Sequence, residues 1–525
     1  MAGSYGFTCA SHPWASAPSQ ACAGKTSAPP LGIHPHAPAQ VNPCLPRYNE
    51  SVTSLTCRAL NFPVDPAAAF PVLADGSSYA FWLDSARDES PMSRYSYLGA
   101  PLGGGVVRYA QPGRVQVLGP DGRPQRVYRD SIWQVLPGLV EVAARPELGE
   151  GQDVPPADVL LGGYVGYMGY EAHADLEVTA FHSEHPQRVA RTPDALWMPA
   201  THYLIYEHAS GKAWLVGPAD WVEETAQKLL KTISSPESIA GQEYASRVVL
   251  PDFPLPDRTD YLAAIATAQA EIAEGNSYEV CLTAETSLQL SDPLGADDLL
   301  SLYLAQRQAN AAPYAAFLRC DDFTVLSSSP EKFLTVTAQG RAEAKPIKGT
   351  VPRGASVAED QQAAAWLASD PKTRAENLMI VDLLRNDLSL VSHPESVRVP
   401  VLMGVESYST VHQLVSTIVS QLRPGITALD AVAAAFPGGS MTGAPKAATM
   451  AIIDRLENRA RGVYSGALGY LGADGSAALS IVIRTLVAHT DGLITLAAGG
   501  AIVADSDPVA EYDEMVTKLR AAVPR

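Results

Sequence analysis

The sequence predicts an α+β fold in which antiparallel sheets carry their helices on the outside. Strand and helix patterns mix along the chain without the strict alternation of a doubly wound sheet. Two apolar runs, Ser480 to Ala488 and Leu493 to Val503, flank the dipeptide Asp491-Gly492, a strong two-residue hairpin turn. Well-marked helices lie near Tyr261 and after Asp507, each with its own start signal.

Residues 1–50 read as a flexible leader. Met1 to Pro46 is rich in Ala, Ser, Pro and Gly and holds no acidic residue, too little apolar surface to offset the entropy of ordering. It lacks both the arginines of a transit peptide and the continuous apolar core of a secretory signal. Residues 51–245 form an N-terminal region with strands at Ala80 to Leu83, Leu161 to Tyr170, Trp197 to Tyr206 and Ala213 to Val216. The polar stretch Ile233 to Val248, with Ser234-Ser235-Pro236, is the candidate linker to a C-terminal region, 246–525. That region opens on a helix in which Tyr261, Ile265, Ala268 and Ile272 share a face. Thr259 or Asp260 would cap it and Gly275 stop it. A strand from Tyr278 to Thr283 and a helix from Ala296 to Gln308 follow.

Of 525 residues, 46% are hydrophobic and 18% charged, which excludes a mostly disordered chain or a coiled coil. Apolar runs such as Ala311 to Leu318 are too short to span a bilayer, so no membrane partner is expected. With 38 Lys and Arg against 56 Asp and Glu, the net charge of −18 disfavours nucleic acid. The six cysteines show no C-x-x-C spacing and no disulfide framework, so the expected compartment is a reducing cytoplasm.

Four segments carry chemistry: Ser329-Pro330-Glu331-Lys332-Phe333; Lys345 to Gly354 around Pro346-Ile347-Lys348-Gly349-Thr350; Arg374 to Asp387; and Phe436 to Lys446. In the last helix Asp507 is the cap, Pro508 the first helical residue, and Val509, Tyr512, Met515 and Leu519 the buried stripe. Glu511, Glu514 and Lys518 then share a neighbouring face, either a solvated cluster or a ligand set. Glu376 opens a mostly apolar helix, where a carboxylate is a ligand or a satisfied polar anchor. Two such carboxylates can hold one Mg²⁺ together with substrate oxygens and water. The hairpin count places Arg484 opposite Gly499, facing either a ligand anion or an internal carboxylate.

Together the four segments resemble the chorismate-utilising enzymes, over Phe81 to Lys518 and most densely from Thr259 onward. The resemblance implies an α/β/β/α sandwich of two packed antiparallel sheets. Within the family, Pro346-Ile347-Lys348-Gly349-Thr350 resembles the amination component that acts at C4 of chorismate; the members forming anthranilate carry Ala where Lys348 stands. Members that add water carry a lysine base in the strand matching Tyr278-Glu279-Val280, and here that position is Glu279. The implied activity is conversion of chorismate and ammonia to 4-amino-4-deoxychorismate through a covalent lysine intermediate. Lys348 is the implied nucleophile and Glu331 the general acid. Gly349, Thr350, His412, Thr442, Tyr464, Arg484, Gly499 and Lys518 are the implied substrate contacts, and Glu376, Glu514 and Glu511 the Mg²⁺ ligands. The alternatives are C2 amination with pyruvate loss, as in anthranilate synthase component I, or a non-catalytic subunit that binds chorismate or tryptophan.

A lysine nucleophile must be neutral, and lowering its pKa from about 10.4 to about 7–8 costs roughly 4 kcal/mol. Lys345 and Arg353 are the expected cations that help. Counting around Asp474-Gly475 sets Tyr464 on the face opposite Arg484, so a bulge is needed for both to reach one ligand. Val351 stands in place of a usual arginine, Gln413 of a second histidine and Ala501 of a glycine. Leu83-Asp84-Ser85 resembles the signature of a tryptophan pocket, with the carboxylate one methylene short. A retained structural pocket is expected there rather than feedback control. No cysteine sits in a Gly-x-Cys-x-Gly nucleophile elbow, so ammonia should come from a separate glutamine amidotransferase subunit.

Overall fold

The computed structural model describes residues 54–85, 94–111, 113–148, 154–181, 183, 188–233, 248–408 and 411–524. The leader and residues 234–247 of the linker lie outside them. The described strands form two twelve-stranded sheets. The first runs from Glu279–Gln289 through Leu493–Ile502, Thr485–His489, Phe323–Ser329 and Tyr314–Cys320 to Tyr79–Asp84 and Tyr95–Gly99. The second runs from Ile347–Pro352 through Val411–Gln421, Arg341–Lys345, Lys332–Val336, Ala477–Ile481 and Ala467–Gly472 to Gly163–Met168 and Ala195–Pro199. Both sheets therefore mix strands from before and after the linker. The strand pairs are antiparallel except Leu55–Ala59 with Pro146–Glu147.

Alternation along each strand builds the layers. Phe81, Ala316, Leu318 and Val325 of the first sheet meet Val165, Tyr167, Leu196 and Leu468 of the second in one inner core. Tyr167 and Phe323 touch across it with ring centroids 6.3 Å apart. Ala80, Trp82 and Phe317 point the other way, onto Phe70, Ile265, Tyr303 and Met515 of the outer helices. On the far side Trp133, Ile380 and Ala431 cover the second sheet. The result is the α/β/β/α sandwich.

Several local expectations shift. Trp197 to Tyr206 is two strands, Ala195–Pro199 and Tyr203–Glu207, in different sheets, because Ala200 to His202 turn the chain across the sandwich. The Arg258–Ala273 helix is capped by Asp257, whose carboxylate accepts from the Asp260 N–H at 3.0 Å, rather than by Thr259 or Asp260. In the Pro508–Ala522 helix the cap is Asp507, at 2.8 Å from the Ala510 N–H. Its buried stripe is Tyr512, Met515, Val516, Leu519 and Ala522, while Val509 is 43% exposed.

The run Ser480 to Ala488 is also not one strand. Ala477–Ile481 belongs to the second sheet and Thr485–His489 to the first, and the chain crosses between them through Val482 to Arg484. The hairpin pairs Leu486 with Leu496 and Ala488 with Ile494, one residue out of step with the two-residue count. Gly499 lies opposite Thr283, and a Cβ there would come within 2.2 Å of the Leu282 carbonyl oxygen. The neighbouring strand, and not Arg484, is what requires this glycine.

Candidate active site

Two sheet-to-sheet crossings lie side by side and carry the polar groups. Pro330-Glu331 joins Phe323–Ser329 of the first sheet to Lys332–Val336 of the second, and Val482 to Arg484 makes the reverse crossing. They are laced together: the Ile481 N–H donates to the Glu331 carbonyl at 3.1 Å and the Ser328 N–H to the Arg484 carbonyl at 3.1 Å. Arg484 has φ 52°, a left-handed conformation that costs about 1 kcal/mol or more for a non-glycine residue. That turn takes the chain off the sheet register, so Tyr464 and Arg484 reach one cavity although strict counting sets them on opposite faces.

The cavity, about 150 Å³, is lined by Glu331, Lys348, Tyr464, Arg484, Gly499 and Lys518, with Cys281, Ser440 and Met441 beside them. A bulge between Ile347 and Thr350 aims Lys348 inward. It requires Gly349, which has φ 77° and whose Cβ would lie 2.5 Å from Thr373 Cγ2. Glu331 is buried, and burial raises its carboxyl above the usual range. The Ser440 hydroxyl and the Lys348, Arg484 and Lys518 cations offset this only in part. Such a group holds a proton where an exposed carboxylate would not.

Lys348 differs from its sequence expectation. Lys345 is spent on Glu406 at 2.8 Å and Arg353 on Asp360 at 2.7 Å, so neither presses on it. Instead Lys348 Nζ donates to Glu279 Oε1 at 3.0 Å, with the lysine side chain 10% exposed and the glutamate fully buried. Burial pushes the ammonium down, but the Glu279 and Glu376 carboxylates outweigh it and hold it well above its ordinary value.

The three acidic candidates do not line the cavity; Glu514 is tied to it through Lys518, which does. Lys372 Nζ bridges Glu511 at 3.0 Å and Glu376 at 3.8 Å, while Lys518 Nζ pairs with Glu514 at 2.8 Å and donates to the Gly499 carbonyl at 2.9 Å. Burial raises the Glu376 carboxyl, and the nearby Glu279 and Glu511 charges push the same way. Among the described residues no three His, Cys, Asp or Glu side chains gather closely enough to form a metal cage. The donor chemistry fits Mg²⁺ nonetheless: the hard carboxylate oxygens are few and already hold cations, Glu376 and Glu511 sharing the Lys372 ammonium and Glu514 pairing with Lys518.

Other candidates stand apart from this cavity. His412 is buried between Asp360, 2.9 Å from Nε2, and Ser407, 2.7 Å from Nδ1. Thr442 is buried, donates to the Gly438 carbonyl at 3.2 Å, and accepts the Cys281 N–H at its own carbonyl. Thr350 is exposed and 3.5 Å from Gln413 Nε2. Leu83, Asp84 and Ser85 line a separate cavity of about 370 Å³ with Arg94, Tyr97 and Tyr470. There Asp84 accepts from Ser96, Tyr303 and Arg307.

Sequence reasoning passed over Ser440, Cys281 and, above all, Glu279 as a partner of Lys348. The available signal was period two: Glu279 and Cys281 alternate with apolar Val280 and Leu282, so acid and thiol share one face of the strand.

The fold and cavity define a class, and comparison agrees: the chain belongs to the chorismate binding enzyme family, whose model matches residues 116–524. Among its relatives it is 43% identical to the aminodeoxychorismate synthase of Streptomyces pristinaespiralis over 87% of this chain and 63% of that one. It is 34% identical to anthranilate synthase component 1 of Haloferax volcanii, over 88% of this chain and 91% of that one. The chain thus spans less than two thirds of the first of these relatives. Of solved structures, anthranilate synthase component I from Streptococcus pneumoniae superposes with a TM-score of 0.65 at 27% identity, covering 83% of this chain and 93% of that one. The menaquinone-specific isochorismate synthase of Escherichia coli shares the fold, with a TM-score of 0.60 at 18% identity over 89% of this chain and 94% of that one.

Proposed function

We propose that this chain aminates chorismate at C4 to give 4-amino-4-deoxychorismate, using ammonia supplied by a separate glutamine amidotransferase subunit. The observation that carries the reading is Lys348, an amine turned by a bulge into the cavity that also holds the buried acid Glu331. Replacement at C4 with retained stereochemistry is awkward in one displacement. Two displacements solve it. The lysine nitrogen adds at C2 as the C4 hydroxyl leaves with a proton from Glu331, then ammonia adds at C4 as the lysine departs. Arg484 suits a substrate carboxylate by bidentate contact, and Tyr464, Gly499 and Lys518 shape the wall around the ring. His412 and Thr442 act from behind the wall, His412 by fixing the Asp360 carboxylate that also holds Arg353. The aminodeoxychorismate synthases among the relatives support the same reading.

Glu376 and Glu514, with Glu511 beside them, would hold one Mg²⁺, which supplies charge neutralisation for an anionic substrate. Among the described residues the cysteines offer no ready nucleophile for a glutaminase step. Burial pushes the Cys57 thiol to about 12 and the Cys281 thiol to about 11, and raises Cys320 well above its usual value. These free thiols also support a reducing, cytoplasmic location. No described helix is long and apolar enough to cross a membrane. The cavity beside Asp84 is a retained structural pocket, since that carboxylate is already spent on three donors.

Mass spectrometry of enzyme quenched during turnover with chorismate, Mg²⁺ and ammonium salt tests the reading. A substrate-derived adduct on the Lys348 peptide is expected. Full C4 amination by a Lys348→Ala variant would refute it.

A further inference from the structure

Lys348 has to lose a proton before it can attack, and the structure holds an acceptor within hydrogen-bond distance of it. Glu279 Oε1 lies 3.0 Å from Lys348 Nζ. The other carboxylate oxygen, Glu279 Oε2, is buried with no hydrogen-bond partner. An ionised carboxylate normally fills its lone pairs when buried, because each unmet acceptor costs about 1–3 kcal/mol. Here the second oxygen has no donor, and the Lys348 proton has a direct path along the existing hydrogen bond to Oε1. The position is also rigid. The Tyr278 N–H donates to the Ala444 carbonyl at 2.8 Å, and Ser277 Oγ donates to the Glu279 carbonyl at 2.9 Å. A Cβ on Gly443 would fall 1.9 Å from that same carbonyl oxygen, so the two backbones are in close contact.

Other titratable groups surround Lys348: Cys281 on the same strand as Glu279, Glu376 from the Pro371–Ser389 helix, Glu331 from its crossing and Glu514 from the last helix. None of these is within ion-pairing distance of Nζ; Glu279 is.

Building on the C4-amination reading, we infer that Glu279 is the internal base that takes the proton from Lys348 and later returns it. In the first half, a proton passes from Nζ to the Glu279 carboxylate. The freed lone pair forms the Nζ–C2 bond, the ring double bonds shift, and C4–O breaks, with Glu331 protonating the hydroxyl to water. In the second half, ammonia forms the C4–N bond, the double bonds shift back and Nζ–C2 breaks with its electrons returning to nitrogen. Glu279 then reprotonates the lysine, and the new C4 ammonium gives a proton to Glu331. Every proton is restored and no external base is needed.

The test compares Glu279→Gln, Glu279→Asp and Lys348→Ala with the parent enzyme, using chorismate, Mg²⁺ and ammonium salt at fixed free-ammonia concentration from pH 6.5 to 9.5. Glutamine keeps the shape and hydrogen bond but cannot take a proton. The expected result for Glu279→Gln at neutral pH is a fall in kcat of at least about 100-fold. Its KM for chorismate should stay within about threefold, and the lost rate should return as pH rises and solvent takes the proton. Glu279→Asp should recover part of the neutral-pH rate, a rescue that a purely structural role would not produce. If Glu279→Gln keeps the parent kcat at pH 7 while Lys348→Ala is inactive, the base assignment is wrong and the nucleophile stands. If Lys348→Ala is itself fully active, the underlying reading fails and the base assignment with it.

Discussion

Among the described residues two buried lysine–carboxylate pairs differ in how completely they are satisfied. Lys446 Nζ pairs with Asp387 at 2.8 Å and also donates to the Ala435 carbonyl at 2.9 Å, tying the Lys446–Glu457 helix to the Pro371–Ser389 helix. Lys348 pairs with Glu279 at 3.0 Å, faces a cavity, and leaves one carboxylate oxygen without a partner. Charge and burial are nearly the same, with side-chain exposures of 8% and 6% against 10% and 0%. On the proposed reading, what separates a structural pair from a reactive one is the unmet acceptor and the open space, not the ion pair itself.

The comparison breaks most visibly at Lys348. Its alanine variant should lose C4 amination by at least about 10⁴-fold, or about 5 kcal/mol of transition-state stabilisation, as measured by product formation. The equivalent change at the other pair should read out in stability. Lys446→Met leaves Asp387 buried and unpaired, so denaturant unfolding should show a loss of about 3–5 kcal/mol. The activity of each folded molecule should change little. Unchanged stability in that variant would mean the Asp387 pair is not the structural one.

A smaller effect is expected at the carboxylates beside the reactive pair. Glu376→Gln or Glu514→Gln should raise the Mg²⁺ concentration for half-maximal activity by about tenfold or more, and chelation with EDTA should abolish activity. Full activity in EDTA would remove the metal from the account.

The subtlest effect is a pH limb. Glu331 must be protonated to act as the acid, and burial raises its carboxyl above the ordinary range. Activity at fixed free ammonia should therefore fall as pH rises through that raised value. The sign for stability is the same. The folded state holds this proton more tightly than the unfolded chain, so the contribution is full below the unfolded pKa and is lost as pH rises. A Glu331→Gln variant should lose this limb in its residual activity, and a limb that survived would belong to another group.

Much of the framework is legible in local signals. The cap at Asp507 and proline at 508 mark the last helix, the unbroken apolar run Ala80 to Leu83 marks a strand buried on both faces, and the four segments point to one family. Local reading fails where the chain changes sheet. Trp197 to Tyr206 and Ser480 to Ala488 look continuous because apolar residues persist through the crossing, and only tertiary packing splits them. The same crossing displaces the register that set Arg484 opposite Gly499. The Lys348–Glu279 contact spans 69 positions, so counting around Lys348 finds Lys345 and Arg353, which the fold pairs with other carboxylates.

The most direct measurement of the central claim is product identity with chorismate, Mg²⁺ and ammonium salt. Amination at C4 keeps the enolpyruvyl group, whereas formation of anthranilate releases pyruvate. The account predicts 4-amino-4-deoxychorismate with no pyruvate released, from ammonium salt alone, and from glutamine only once a separate glutaminase subunit is added. Anthranilate and an equivalent of pyruvate would contradict it.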